Sequence, residues 1–421
     1  MNILIAGGDV CDTPDRPRND SMISDRLETL KEYPFRRMNA LIKDVPLPEG
    51  SSEAIAMWIG EPRHGVPEIA RQPLADSFAD YSRYPPVEGT PGLRRTMAAW
   101  LSRRYGLADG FIDPDRSIIP VQGTREGLFM IALAAVPTTG AKGTPLALMP
   151  NPFYPPYKAG AVAAGAQPVF MPCTSKNGFL PDLDSLTGDV LDRTAIFYLC
   201  SPANPQGVVA DPDYLRRVVD LARRHDFLLV SDECYAEIWD RAPPPGVMQI
   251  CAEDGDLSHV VCFHSLSKRS SIPGLRHGFV AGDPDFLAAY LRLRRYAAAA
   301  SPMAVMATAE VLWSDEGHVE ENRRLYREKI DMAEAVLGNR FGFFRPPGGF
   351  FLWLDVGNGI EAARRLWAEA AVKVLPGAYL AEDRADGTND ALPYIRVALV
   401  GDHDSTREGL TRLAETLAEG D

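Results

Sequence analysis

Short apolar segments alternate with longer amphipathic ones through the middle of the chain. The short segments predict buried strands, and apolar residues at spacings of three and four predict helices. In the segment 212–225, for example, Leu215, Val218 and Ala222 share one helical face. Predicted strands lie at 117–121, 145–149, 168–171, 195–200, 227–230 and 260–263. Strands that alternate with helices favour an α/β fold, in which a mostly parallel central sheet carries helices on both faces.

The pattern changes toward both ends of the chain. After Met22, apolar residues at spacing three predict a helix that Pro34 interrupts, and a short strand is predicted at 54–59. From Ser301 onward helices dominate, and two predicted strands then flank one further helix. Those three elements lie at 350–356, 360–369 and 394–398. We therefore predict a large domain at 61–300 and a smaller α+β domain made of 22–60 and 301–421.

Residues 1–21 differ in composition from the rest of the chain. From Cys11 to Ser21 they are polar and rich in turn-forming residues, which leaves little apolar surface to bury. The short apolar run before Cys11 has no basic residue ahead of it, so a secretory signal is not expected. We predict a poorly ordered extension.

Composition and charge argue against several classes of function. The formal net charge of −13 disfavours a broad nucleic-acid-binding surface, which needs clustered positive charge. No run of about 18 apolar residues exists, so no membrane span is predicted. The six cysteines are scattered without a C-x-x-C pair, which predicts neither a disulfide framework nor a metal site and fits a reducing cytoplasm.

A lysine follows directly after one predicted strand, in the sequence HSLSK that ends at Lys268. Lysines normally occupy solvated surfaces, and the chain has only eight of them. Desolvation and neighbouring cations lower the pKa of an amine, which frees it to attack an aldehyde. A surface lysine in a turn is the ordinary alternative for so short a motif.

Polar side chains follow two further predicted strands. Asp232, at the end of one of them, could pair with a protonated pyridine nitrogen, and Tyr235 could donate to an oxygen on the same ring. Asn204, in the turn sequence SPANPQG, carries an amide that could reach that oxygen. Taken singly, Asp232 is also explained as a cap or turn residue, and the turn sequence as a tight loop. All three lie at the carboxyl ends of strands, where parallel sheets bind ligands.

The sequence Gly123-Thr124-Arg125 lies between a predicted strand and a predicted helix. Free N–H groups and the helix dipole make such a helix start a cradle for phosphate. Neither G-x-G-x-x-G nor G-x-x-x-x-G-K-[ST] occurs, so a dinucleotide or nucleoside triphosphate site is not indicated.

Together and in this order, these motifs resemble those of the fold-type I, class I and II aminotransferases. The spacings agree with that family, with 36 residues from Asp232 to Lys268 and 8 from Lys268 to Arg276. The resemblance extends over about residues 26–400. It implies the PLP-dependent transferase fold type I, in which the large domain binds pyridoxal 5′-phosphate (PLP).

The resemblance also implies the residues that act on the cofactor ring. Lys268 would hold PLP as a Schiff base and serve as general base and acid. Asp232 would pair with the pyridinium nitrogen. Asn204 and Tyr235 would bond the 3′-oxygen, and Tyr154, in the sequence NPFYPPY, would stack on the ring.

Phosphate and substrate contacts follow from the same resemblance. The phosphate would be held by Gly123, Thr124, Arg125, Ser265, Ser267 and Arg276. Tyr84 would reach the phosphate of the neighbouring subunit, which implies a homodimer with shared active sites. Gly60 would offer its backbone to the substrate, and Arg396 would bind the α-carboxylate.

Within the family, several stretches resemble the bacterial N-succinyl-diaminopimelate aminotransferases of lysine biosynthesis. They are IGEPRH, VQGTREGLF, NPFYPPY, SDECYAEI, SLSKRSSIPGLRHGFVAG, HVEENRRLYREK and VLPGAYL. This implies transfer from glutamate to N-succinyl-2-amino-6-ketopimelate, whose distal carboxylate needs a further cation. Arg63 is predicted there, with a solvated loop arginine as the equal alternative. The segment Ala297–Ala300 departs from the His-Gly-Cys-like stretch that those relatives carry before Ser301.

Other functions remain open on the same residues. The substrate could be that of an aspartate, alanine or broad-specificity aminotransferase, and a PLP-dependent C–S lyase would use the same lysine. A transcription regulator with an aminotransferase-like domain would need a helix-turn-helix module, and the segment before Met22 has no such pattern.

Overall fold

The protein is described by a computed structural model that covers residues 24–51, 53–138, 143–297 and 300–418. The extension predicted at 1–21 lies outside the described residues. In the described part of the chain, the helices are α1 Pro34–Ile42, α2 Arg71–Asp76, α3 Pro91–Tyr105, α4 Thr124–Ala135, α5 Pro155–Ala164, α6 Gly188–Arg193, α7 Pro212–His225, α8 Val247–Asp254, α9 Leu266–Arg269, α10 Pro284–Ala297, α11 Met303–Ser314, α12 Gly317–Leu337, α13 Gly359–Ala370 and α14 His403–Ala418.

A seven-stranded sheet forms the centre of the larger part. Its strands are β2 Ile118–Val121, β3 Leu146–Asn151, β4 Gln167–Pro172, β5 Thr194–Cys200, β6 Leu228–Asp232, β7 Val260–Ser265 and β8 Gly278–Gly282. Their order is β2-β8-β7-β6-β5-β3-β4. β8 is antiparallel to both of its neighbours, and the other pairs are parallel. The predicted α/β fold with a mostly parallel central sheet is confirmed.

Helices cover both faces of this sheet, and the side chains of each strand alternate between two cores. In β5, Ile196 and Tyr198 pack in one core, while Phe197 and Leu199 pack in the other. Because both faces of the inner strands are buried, these strands are apolar over most of their length, up to the polar residues that end β6 and β7. This is why the sequence shows short continuous apolar runs rather than alternation.

A smaller antiparallel sheet lies toward the carboxyl end of the chain. It has the order β11-β12-β9, with β9 at Phe351–Asp355, β11 at Leu375–Pro376 and β12 at Tyr394–Ala398. A parallel pair joins β1, at Ile55–Ala56, to β10, at Val372–Lys373. One hydrophobic core gathers side chains from α1, α12, α13 and α14 with these strands. Segments from both ends of the chain thus share this core.

Three local features differ from the sequence-based expectations. Pro34 begins α1 rather than interrupting a helix, because its fixed φ and missing N–H suit the first helical position. β8 was not predicted, and it supplies the antiparallel part of the sheet. α11, which follows the boundary proposed at Ser301, buries Met306 and Trp313 in the core of the large sheet.

Among the residues described, no helix combines the length and apolar character needed to cross a lipid bilayer.

The packing of α4 against α5 generates a first prediction. A Cβ added at Gly160 on α5 would lie 2.6 Å from the carbonyl oxygen of Phe129 on α4. Gly160→Ala should therefore destabilise the protein by about 1–3 kcal/mol, as overpacking does, and lower the Tm measured by calorimetry. Gly188→Ala on α6 is the matched control, because no atom lies within 4 Å of its Cβ position. Equal Tm values for the two variants would contradict this account of the helix contact.

Candidate active site

A cavity of about 630 Å³ opens at the carboxyl ends of the central strands, where the two sheets approach each other. Most of the residues singled out from the sequence line it. They are Gly60, Thr124, Arg125, Tyr154, Asn204, Asp232, Tyr235, Ser265, Ser267, Lys268, Arg276 and Arg396. Residues up to 336 positions apart in the chain, Gly60 and Arg396, therefore meet around one space.

Lys268 reaches this cavity from α9, a four-residue helix directly after β7. Its Nζ donates to the carbonyl oxygen of Gly60 at 2.5 Å. Desolvation lowers the pKa of Lys268 to about 8, and the positive charges of Arg396 and Arg125 act in the same direction. An amine with this pKa is substantially unprotonated at mildly alkaline pH, as a nucleophile requires.

Asp232 is buried at the end of β6, in the floor of the cavity. Tyr157 Oη donates to its Oδ2 at 2.5 Å, and the backbone N–H of Cys234 donates to its Oδ1 at 3.2 Å. Burial raises the pKa of Asp232, although these hydrogen bonds oppose the shift. A buried carboxylate of this kind is suited to a cationic partner in the cavity, such as a protonated pyridine nitrogen.

Glu233 follows Asp232 directly, one residue beyond β6, and it is not among the residues that line the cavity. Its carboxylate accepts from Tyr105 Oη at 2.5 Å, Ser231 Oγ at 3.0 Å and the N–H of Val247 at 2.9 Å. Burial alone would raise the pKa of Glu233, but hydrogen bonds from His264 and Tyr105 hold it below its usual value. This buried network fixes the end of β6, and no sequence motif indicated it.

Arg396 brings a buried cation from β12 into the same space. Nη1 donates to Asn204 Oδ1 at 3.0 Å, and Nη2 donates to the carbonyl of Trp58 at 2.9 Å. The guanidinium lies 4.3 Å from the ring centre of Phe351, and its Nε is buried without a partner. Desolvation lowers the pKa of Arg396 to about 10. No carboxylate of the described residues pairs with it, so a ligand carboxylate would satisfy both its charge and its geometry.

A cluster of donors lies at the other end of the cavity. Gly123 precedes α4 with φ +81°, and a Cβ there would come 2.0 Å from Arg276 Nη2. Only glycine therefore allows Arg276 to approach the amino end of α4. Ser265 caps α9 by accepting from the N–H of Ser267 at 3.2 Å. Two helix starts, two hydroxyls and a guanidinium together suit a phosphate group.

Aromatic residues form the outer wall. Arg125 Nε donates to Tyr154 Oη at 2.7 Å, and desolvation raises the pKa of Tyr154 to about 12. Tyr33, just ahead of α1, lines the same cavity and was not identified from the sequence. A second cavity of about 620 Å³ adjoins the first and shares Tyr33, Arg125 and Arg276 with it. A ligand longer than one cavity could extend across this wall.

Three of the predicted residues are not among those lining the cavity. Gly123 lies behind it, against Arg276. Tyr84 is fully exposed on the surface, and Arg63 is also exposed. Within the segment that departs from the relatives, residues 298–299 lie outside the described part, while the carbonyl of Ala300 accepts from Gln122 Nε2 at 3.1 Å.

These residues fit PLP on several independent grounds. The cavity offers a desolvated amine, a buried carboxylate on its floor and a phosphate-sized donor cluster whose approach requires Gly123. Fold and site together define a PLP-dependent enzyme of fold type I.

Comparison with known proteins identifies the family. Residues 52–413 match the family "Aminotransferase class I and II", and the chain belongs to it. Members of that family depend on PLP. The chain is thus an aminotransferase-family enzyme that uses this cofactor.

Curated relatives and solved structures agree with this membership. An LL-diaminopimelate aminotransferase of Syntrophobacter fumaroxidans is 30% identical over 398 residues, which are 93% of this chain and 97% of the relative. The 4-dedimethylamino-4-oxo-anhydrotetracycline transaminase OxyQ of Streptomyces rimosus is 33% identical, covering 85% and 92%. The crystal structure of an aminotransferase from Neisseria meningitidis has a TM-score of 0.88 and 38% identity, covering 93% and 99%.

The environment of Lys268 predicts unusual reactivity of its amine. In the protein stripped of cofactor, Lys268 should react with trinitrobenzenesulfonate with a midpoint near pH 8, because desolvation lowers its pKa to about 8. Solvated lysines titrate near pH 10.4. Mass spectrometry of peptides labelled across a pH series would measure the midpoint. A midpoint for Lys268 equal to that of surface lysines in the same sample would show that the amine is solvated.

Proposed function

We propose that the enzyme moves an amino group between glutamate and a diaminopimelate-type 2-keto acid, with N-succinyl-2-amino-6-ketopimelate as the acceptor. The observation that carries the aminotransferase chemistry is a desolvated lysine and an unpaired buried arginine in one cavity. Turnover of a 2-amino acid needs a group that reacts with its amine and a cation that binds its α-carboxylate.

When bound, PLP supplies an aldehyde that links covalently to amines and a ring that withdraws electrons from the attached carbon. In this proposal Asp232 stays ionised against the ring nitrogen, and Tyr157 keeps the carboxylate in place through its 2.5 Å hydrogen bond. Asn204 and Tyr235 bond the ring 3′-oxygen, and Tyr154 stacks on the ring.

Lys268 moves the proton. Its amine would take a proton from the substrate Cα and later donate it again, so that one group serves as base and then as acid. The lowered pKa of Lys268 supports this role, because a base works best when its pKa lies near the operating pH.

Phosphate binding is assigned to the donor cluster at the start of α4. The backbone of Gly123, Thr124 and Arg125 would supply N–H groups. Ser265, Ser267 and Arg276 would add side-chain donors, and the exposed Arg276 would be covered when the phosphate is bound.

Arg396 is proposed to bind the substrate α-carboxylate, with the Gly60 backbone beside it. In the present arrangement Arg396 already donates to Asn204 and to Trp58. A carboxylate would therefore meet a guanidinium held in one orientation, with Nε still free.

The distal end of the substrate is the part on which relatives differ. Several curated relatives are named LL-diaminopimelate aminotransferases, which supports a substrate of this class but not its succinylation. The second cavity supports a longer, acylated substrate, and Arg125 at the shared wall supplies a cation there. Arg63 is the candidate that the sequence indicated for the distal carboxylate. Its side chain is exposed on the single chain, which favours Arg125 for this role.

We also propose a homodimer. Phe78, Tyr81 and Tyr84 are large apolar side chains exposed on one short stretch of the surface, as expected of an interface. In the dimer Tyr84 would reach the phosphate of the partner's site. The described cysteines are free and buried, which supports a reducing compartment such as the cytoplasm.

Replacing the proposed reactive lysine tests the cofactor assignment. Lys268→Ala should abolish the borohydride-reducible attachment of PLP and nearly all turnover, because no other lysine lines the cavity in the described part of the chain. Fluorescent peptide mapping after reduction would locate the attachment, and Lys43→Ala at the surface should behave as the parent protein. A reduced adduct at parental level in Lys268→Ala would place the cofactor on another lysine.

Substrate choice is tested with a panel of acceptors and two arginine variants. With glutamate as donor, the succinylated keto acid should give a higher kcat/KM than tetrahydrodipicolinate, oxaloacetate or pyruvate. Arg125→Ala should raise KM for the succinylated acid by about tenfold to a hundredfold, since one charge-assisted hydrogen bond contributes about 1.5–3 kcal/mol. Arg63→Ala is the matched variant, with a smaller effect expected.

The panel also separates the alternatives. Preference for tetrahydrodipicolinate would shift the assignment to LL-diaminopimelate, and preference for oxaloacetate or pyruvate to an aspartate or alanine type. Release of pyruvate and ammonia from a sulfur amino acid without any acceptor would indicate a C–S lyase. A larger effect of Arg63→Ala than of Arg125→Ala would return the distal carboxylate to Arg63.

A further inference from the structure

A line of hydrogen bonds runs behind Lys268, on the side away from the cavity floor. Lys329 Nζ lies 2.7 Å from His64 Nε2, and His64 Nδ1 lies 2.6 Å from Asn322 Oδ1. Asn322 Nδ2 then donates to the carbonyl oxygens of Lys268 at 3.0 Å and Arg269 at 3.1 Å. We call Lys329, His64 and Asn322 the carbonyl relay.

The direction of each bond in the carbonyl relay is fixed by chemistry. Two carbonyl oxygens can only accept, so the amide group of Asn322 must present Nδ2 to them and Oδ1 to His64. His64 must then carry its proton on Nδ1, which leaves Nε2 as acceptor for the Lys329 amine. Desolvation and the charge of Lys329 lower the pKa of His64 to about 4, so the ring stays neutral as this pattern requires.

The carbonyls at the end of the relay need an outside partner. α9 has four residues, and the last carbonyls of a helix have no N–H partner within it. Asn322 supplies two donors to two successive carbonyls, one of which belongs to the lysine in the cavity. The relay therefore acts on the main chain from which the Lys268 side chain extends.

The same relay also holds the group that the Lys268 amine contacts. His64 follows Gly60 by four residues, and the Gly60 carbonyl accepts from Lys268 Nζ. Ser271 Oγ donates to the carbonyl of His64 at 3.1 Å, which ties this loop to the chain just after α9. Main chain and side-chain tip of Lys268 are thus positioned through one histidine.

A buried lysine such as Lys329 is not expected at a position where the side chain only stabilises the fold. It lies on α12 with 1% of its surface exposed, and within the described residues it forms no salt bridge. Desolvation lowers the pKa of Lys329 to about 8, with Asp402 opposing the shift at longer range. Isolated buried lysines are rare in proteins, whereas an apolar residue would fill the same space without this penalty.

We propose that Lys329, His64 and Asn322 are positioning residues that hold the main chain of Lys268 and the Gly60 loop in register for proton transfer. The proposal rests on the assignment of Lys268 as the reactive lysine. It assigns to α12 a role in catalysis without any contact to substrate.

The test uses four variants, two functional readouts and the Tm. Asn322→Ala removes both donors to the carbonyls, and Lys329→Met removes the cation at a similar length. His64→Asn keeps an N–H in place of Nδ1–H and should retain most of the function. Leu337→Ala is the control, because it is buried on the same helix in the core of the smaller sheet. For each variant we would measure kcat with KM, and the pH midpoint of Lys268 labelling in the cofactor-free protein.

Asn322→Ala should lower kcat about tenfold to a hundredfold with little change in KM, the size of effect expected from a misplaced catalytic group. Its Lys268 labelling midpoint should rise from about pH 8 toward the ordinary 10.5, as a loosened amine gains access to water. Leu337→Ala should lower the Tm without moving either readout. If Asn322→Ala changes only the Tm, as Leu337→Ala does, the proposal is overturned.

A second measurement is made on the parent protein and needs only His64→Asn, for assignment of the signal. In histidine-labelled protein without cofactor, ¹⁵N NMR at neutral pH should report His64 as the Nδ1–H tautomer, assigned by its loss in His64→Asn. An Nε2–H tautomer or a charged ring would break the relay and overturn the proposal. Failure of PLP to link to Lys268 in the parent protein would instead remove the proposed function on which the relay rests.

Discussion

Desolvation of charged side chains is the constraint on which the rest of this site depends. Lys268, Asp232 and Arg396 lie in one cavity, and none of them forms a salt bridge within the ranges that the structure describes. A charge away from water is costly unless opposite charge or hydrogen bonds replace the solvent. The two cations therefore favour anionic ligand groups, and the carboxylate favours a cation. A cofactor with a protonated ring nitrogen, bound together with an amino acid carboxylate, satisfies these demands at once.

Asp232 and Glu233 are adjacent in the chain but have opposite hydrogen-bonding environments. Asp232 points into the cavity and keeps few hydrogen bonds, so its carboxylate stays available to a ligand. Glu233 points the other way and is saturated by Tyr105, Ser231, Val247 and His264. The division falls at the end of β6, where Asp232 is the last strand residue and Glu233 is the next residue of the chain. One carboxylate can then remain reactive while its neighbour fixes the strand.

Local sequence predicted much of the fold, because buried strands and the buried faces of helices leave apolar patterns in the sequence. α7 has the predicted bounds, since it has a capping residue, a proline at its start and a left-handed residue at its end. Pro34 was misread because a proline that opens a helix and one that ends a helix look alike in a sequence. β8 was missed because its sequence GFVAG has small residues that do not form an apolar run.

Residues around the cavity could be predicted from the sequence only where they belong to a recognisable motif. Lys268 and Asp232 follow apolar strands directly, so the topology of a parallel sheet brings them together. Tyr33 had no such signal. The carbonyl relay lies within the stretches IGEPRH and HVEENRRLYREK, but the resemblance assigned no role to His64, Asn322 or Lys329. His64 and Asn322 are 258 positions apart, and their contact depends on how the smaller sheet and α12 pack against the large one. Contacts of that kind follow from tertiary packing rather than from local pattern.

The division of the site between distant segments also bears on how the proposed substrate would be held. The cofactor groups come from the central sheet, whereas Arg396 and Gly60 come from segments associated with the smaller sheet. An amine that lacks an α-carboxylate would leave Arg396 buried and unpaired. Breaking a buried ion pair in this way costs on the order of 3–5 kcal/mol. Under the proposed function, selection for 2-amino and 2-keto acids would therefore arise from desolvation of one arginine, and the choice among such acids would fall to the wall that Arg125 and Tyr33 form.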